Sequence, residues 1–218
     1  MSADNELHGG AQLQFFGSMT ASISHELKNA LAIIQENAGL LSDYMLMMDK
    51  GNLVTPERLK KVARRIEEQT QRADLLIRKM NRFAHTVDEP SKTVDLNEMT
   101  ALLVALLQRT ADMREVTLKA RPAASPVMIT TAPFLWLTAL GRCILGILPA
   151  IAAGKTLLVQ VAKEEAGIQI ILAPLEKLAE LTDGAFSANG EFALLNALNA
   201  GYNTDISANR LIITFQPC

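Results

Sequence analysis

Residues 24–29, Ser24-His25-Glu26-Leu27-Lys28-Asn29, bring together more chemically able side chains than any other stretch of this 218-residue sequence. A neutral imidazole nitrogen is a competent nucleophile near pH 7 and can also carry a proton or bind a metal. The His25-Glu26 pair would suit a zinc protease only with a second histidine four residues on, and that position is Asn29. Gly154-Lys155-Thr156 ends like a phosphate-binding P-loop. That loop needs a glycine five residues before Gly154, where Pro149 stands. It also needs a helix after it, whereas an expected strand follows here, so no helix N-terminus would face a phosphate. His8, in an expected disordered leader over residues 1–10, and His85, near a helix end, read as ordinary.

The element that must carry residues 24–29 is a long amphipathic helix over 11–48. Leu13, Phe16, Ile23, Leu27, Ala30, Ile34, Leu41, Tyr44 and Met48 recur at a 3-4 spacing, a seam narrow enough for coiled-coil-like packing. His25 lies two residues from both Ile23 and Leu27, which turns its imidazole away from the seam and into solvent. Gly51, Asn52 and Pro56 break the pattern, and Thr55 with Pro56 opens a second helix to about Val87. Its seam is Leu59, Val62, Ile66, Ala73, Leu76, Met80, Phe83 and Val87. So short a break predicts an antiparallel hairpin over residues 11–90. Two such hairpins would make a four-helix bundle, hence a homodimer; packing on the rest of the chain is the competing way to cover the seam.

Glu89-Pro90-Ser91 marks a linker, and residues 91–218 mix helices with β-rich runs. Asp95 and Glu98 form a capping box for a helix to about Met113. Strands are expected over 116–120, 127–131, 156–162, 168–172 and 211–215, and helices over 133–153 and 192–200. The fold class is therefore α+β: a long helical hairpin followed by a two-layer α/β sandwich, rather than a βαβ parallel fold. A formal charge of −2 argues against attraction to nucleic acid or an anionic membrane. Two cysteines, Cys143 and Cys218, are too few for a disulfide framework or a zinc cluster, so no metal site is expected. The chain has no uninterrupted apolar run of membrane-spanning length and no signal-like start, so a soluble cytoplasmic protein is expected.

The stretch FFGSMTASISHELKNALAII resembles the phosphoacceptor motif of bacterial two-component sensor histidine kinases. The hairpin is similar to their dimerisation and phosphotransfer domain, and residues 91–218 occupy the place of their ATP-binding domain. The resemblance implies that His25 is the phosphoacceptor, exchanging a phosphoryl group with aspartates of response-regulator receiver domains, whose own site would hold the magnesium. Glu26 would hold the imidazole tautomer and Lys28 would lend electrostatic support. Asn29, one turn from His25 on the same face, would orient a water as in the family's phosphatase motif. Relatives carry proline after this asparagine, where Ala30 stands here.

The second domain departs from the family pattern. In place of the asparagine that holds magnesium and triphosphate, the helix reads Leu140-Gly141-Arg142-Cys143-Ile144-Leu145-Gly146-Ile147. After the strand at 168–172, in place of the adenine-binding aspartate segment, come Ala173-Pro174-Leu175-Glu176. Asn189-Gly190-Glu191 is all that remains of a glycine-rich lid. The expectation is a histidine phosphotransferase of a phosphorelay with no cofactor and no ATP binding. The alternatives are a response-regulator phosphatase using Asn29, a non-catalytic dimeric receiver-binding scaffold, and a divergent active kinase. Nine basic and four acidic side chains between Glu57 and Arg82 would complement an acidic receiver pocket.

Overall fold

The structure, a computed structural model, describes residues 3–164, 167–175 and 191–215. The chain divides into two compact units, one of residues 20–82 and one of residues 1–19 with 83–218. Helix α1 (Ala3–Asp49) and helix α2 (Pro56–Ala84) form the expected hairpin. Helix α1 starts well before residue 11, so residues 3–10 of the expected disordered leader continue it: no proline precedes Asp49, and Gly9 and Gly10 weaken a helix by only about 1 kcal/mol each without breaking it. At its other end the chain turns on Gly51, whose φ of 80° is the left-handed conformation glycine tolerates. The Gly51 amide donates to the Met48 carbonyl at 2.9 Å and the Asn52 amide to the Met47 carbonyl at 3.0 Å, satisfying the last carbonyls of α1.

Within residues 20–82 the buried seam is Ile23, Ala30 and Asn37 on α1 against Val62 and Leu76 on α2. Met45, Leu46, Met48 and Leu53 at the hairpin tip are exposed. In the other unit the first turns of α1 bury a different stripe. Phe15 and Met19 are buried and Leu13, expected in the seam, is 74% exposed. The cause is a local partner. Phe15 and Phe16 pack on Phe83, with ring centroids 6.0 and 5.4 Å apart, and Phe83 and Phe16 both meet Phe134. Aromatic pairs of this kind add about 0.5–1.5 kcal/mol each beyond the area they bury. Val87, the expected end of the second seam, is exposed in a 3-10 turn at His85–Val87.

The remaining elements of this unit are β1 (Lys92–Asp95), α3 (Leu96–Asp112), β2 (Thr117–Arg121), β3 (Met128–Thr131), α4 (Pro133–Ile147), β4 (Thr156–Glu164), β5 (Gly167–Ala173), α5 (Glu191–Asn196), β6 (Ala200–Asp205) and β7 (Arg210–Phe215). Asp95 caps α3, its carboxylate accepting from the Asn97 amide at 2.9 Å and from the Val127 amide at 3.0 Å. Helix α4 ends at Ile147 rather than 153, because Pro149 lacks the N–H that would continue it, and a 3-10 turn follows over Leu148–Ala150. The main sheet has the order β2-β4-β5-β7-β6; β2 and β4 are parallel and every other pair is antiparallel. Strands β1 and β3 form a separate antiparallel pair. Alternate residues of the sheet, among them Leu157, Val159, Ile170, Leu172 and Ile213, are fully buried, as are Leu103 and Leu107 of α3 and Trp136, Leu137 and Ile144 of α4. The architecture is α+β, a helical hairpin followed by helices and a mixed sheet. Residues 133–150 are long and apolar enough to cross a membrane, yet most of this segment is buried within the unit.

Candidate functional site

His25 sits on α1 between two buried seam residues, Ile23 at 3% and Ala30 at 1% exposure, and is itself exposed. Each helical residue turns by about 100°, so the position two after Ile23 lies on the opposite side of the rod. Among the described residues none hydrogen-bonds the His25 side chain, which leaves both ring nitrogens open to solvent. Lys28 and Asn29 are also exposed. They lie three and four residues on, within about 6 Å along the axis and on either side of the His25 direction. The three side chains thus form one outward-facing polar patch.

Glu26 does not join that patch. Its carboxylate turns toward α2, where Arg72 Nη2 stands 3.4 Å from Oε2, with the glutamate side chain 20% exposed and the arginine 56%. The expected contact with the imidazole is not formed, because neighbouring residues on a helix project about 100° apart and Glu26 points to the flank of the seam. Arg72 is the residue sequence reasoning missed. The signal was available: Glu26 immediately precedes seam residue Leu27 and Arg72 immediately precedes seam residue Ala73, so an antiparallel hairpin sets flank against flank.

The basic character of α2 is partly internal. Arg64 pairs with Glu68 at 3.5 Å and Arg78 with Asp74 at 2.8 Å, each one turn apart. The Arg78 guanidinium is pushed up from its ordinary pKa by the Asp74 hydrogen bond and then by its charge. Arg58, Lys60, Lys61 and Arg65 are exposed. In the other unit His85 Nδ1 meets Asp88 Oδ2 at 2.7 Å on the surface. Cys143 is buried. Glu176, the Asn189-Gly190 remnant and Cys218 lie outside the described residues.

Residues 17–86 match the model of the His Kinase A (phospho-acceptor) domain family, a span that holds both helices of the hairpin and sets His25 near its start. The hairpin thus matches that phospho-acceptor domain family, over less than half of the chain. No curated protein matches the sequence. Among solved structures the chain is similar to the histidine kinase AdeS of Acinetobacter baumannii, with 14% identity, a TM-score of 0.46 and coverage of 87% of this chain and 95% of that one. A bacterial phosphotransferase is similar at 14% identity and TM-score 0.48, covering 98% and 96%. The histidine kinase ThkA, solved with the response regulator TrrA, is similar at 14% identity and TM-score 0.46, covering 94% and 63%. At these scores the three structures do not bear on activity.

Proposed function

We propose that this chain is a cytoplasmic bacterial histidine phosphotransferase that works as a homodimer between response-regulator receivers and binds no nucleotide of its own. The observation that carries the reading is the placement of His25: exposed, without a side-chain hydrogen bond among the described residues, and near the start of the span matched by the phospho-acceptor family. A neutral ring nitrogen attacks the phosphorus of a receiver's aspartyl phosphate; the N–P bond forms, the P–O bond to the carboxylate breaks, and the aspartate leaves as the anion. The reverse sequence on a second receiver moves the phosphoryl group on and restores the imidazole. Lys28, within a turn, offsets the negative charge of the transferring group. The receiver supplies the magnesium.

The expected absence of a nucleotide rests on α4. Ile147, near the place where the family would carry its magnesium-binding asparagine, is apolar and fully buried, as are Cys143 and Ile144 beside it. Such a face offers no oxygen ligand to magnesium, which requires them. The described residues of α4 therefore do not fit a magnesium-bound triphosphate.

The test is a reconstituted relay with a phosphorylated donor receiver and an unphosphorylated acceptor. The wild-type chain should label the acceptor, and His25→Ala should leave it unlabelled; transfer surviving in that variant would overturn the reading. One observation favours a second activity: Asn29 is exposed one turn from His25. Its amide could orient a water on a receiver's aspartyl phosphate. Asn29→Ala should then slow dephosphorylation while leaving transfer through His25 intact. Receiver binding without transfer or dephosphorylation would establish a scaffold instead.

A further inference from the structure

The seam of the hairpin keeps a seven-residue beat on both helices. On α1 it reads Ile23, Ala30, Asn37, and on α2 Val62, Gln69, Leu76, so an amide occupies the same kind of position that buried apolar residues fill elsewhere. Asn37 is 4% exposed and gives one amide N–H to the Ile33 carbonyl of its own helix at 2.7 Å. Gln69 Oε1 is buried with no hydrogen-bond partner. Both residues line one depression of about 550 Å³, bordered also by Ile33, Glu36, Leu40, Asp43, Arg65 and Glu68. A buried amide left unpaired costs about 1–3 kcal/mol, whereas leucine at either position would bury without that penalty. The unpaired Gln69 oxygen in the seam is therefore costly for a hairpin that stands alone. In coiled coils, a polar residue at such a position fixes register and partner number at the expense of stability.

The occupant that fits the depression is a second copy of this chain. Residues 20–49 carry four acidic side chains and one basic, while residues 56–82 carry nine basic and four acidic. A two-fold pairing that sets α1 of one copy beside α2 of the other places opposite charges together on both sides. Resting on the homodimer reading above, we propose that Asn37 and Gln69 form a polar layer across the bundle of two copies, and that this layer fixes the register of pairing. On pairing, the Gln69 amide, whose Oε1 is closed off within the single chain, turns to accept from an amide of the partner copy, and the apolar layers above and below supply the affinity.

The test uses the full chain carrying Ser42→Cys and Cys218→Ser, spin-labelled at the exposed position 42, with Cys143 buried and unreactive. Inter-copy distances are measured by pulsed electron resonance and mass by sedimentation equilibrium. With Asn37 and Gln69 in place, a dimer with one narrow distance is expected. Adding Asn37→Leu and Gln69→Leu should raise the melting temperature and produce a second distance population or a mass above the dimer; Gln69→Leu alone should do the same to a lesser degree. A single unchanged distance and mass in the leucine variants, or loss of folding in both, would refute the polar layer while leaving the dimer standing. A monomer before the leucine substitutions would remove the dimer reading and the layer with it.

Discussion

Glu26 and His25 are neighbours in sequence whose side chains serve different partners. The carboxylate is held on the seam flank by Arg72 at 3.4 Å while the imidazole stands in solvent. An ion pair of that length with a half-exposed arginine is worth little, so Arg72→Ala should lower stability by less than about 1 kcal/mol, an effect that chemical denaturation at high salt should erase. The exposure of His25 was legible from angular arithmetic alone, since Ile23 and Leu27 fix the phase of the helix. The Glu26–Arg72 pair was harder to read because it depends on the register between two helices, which no local pattern states.

At the scale of elements, α4 is notched to receive Phe15. A Cβ at Gly141 would lie 2.5 Å from one carbon of the Phe15 ring and 3.2 Å from Leu103 Cδ1. Alanine is the better helix former, yet Gly141→Ala should destabilise the protein by about 1–3 kcal/mol in thermal unfolding, because the ring must leave its seat. The β6–β7 hairpin depends on Asp205. Its carboxylate accepts from the Ser207 hydroxyl at 2.6 Å, the Ala208 amide at 3.0 Å and Arg210 Nε at 3.0 Å. These bonds, the Ser207 hydroxyl first, lower the Asp205 pKa from 3.8 to about 2. A depressed folded-state pKa means stabilisation that is complete above the unfolded value and is lost as pH falls through the folded one. The difference in melting temperature between the wild-type chain and Asp205→Asn should accordingly be constant above about pH 4 and shrink toward about pH 2. A difference that stays constant down to pH 2 would refute that role.

Strand β6 was invisible in the sequence for a physical reason: Ala200-Gly201-Tyr202-Asn203-Thr204-Asp205 has poor strand propensity and is extended by pairing with the apolar β7. Strand β1 is four residues long and depends in the same way on β3. The five strands that were legible carry runs of β-branched and aliphatic residues, such as Leu157 to Val161 and Ile168 to Leu172. Leu13 was misplaced because the seam changes phase near Met19, where Phe134 joins Phe83 of α2 in an aromatic cluster that takes Phe15 and Phe16 instead. Periodicity reports which residues are buried only while the packing partner stays the same.

For the molecule as a whole, the hairpin presents an exposed imidazole, and α4 of the companion unit buries Leu140, Cys143, Ile144 and Ile147. The central claim is that phosphate reaches His25 from a receiver and not from a nucleotide. Its most direct test offers the purified chain radiolabelled ATP with magnesium in one reaction and a radiolabelled phosphoreceiver in another, and maps any label by peptide. The account predicts acid-labile label on the His25 peptide from the receiver alone, absent in His25→Ala. Label from ATP, or label retained in His25→Ala, would contradict it.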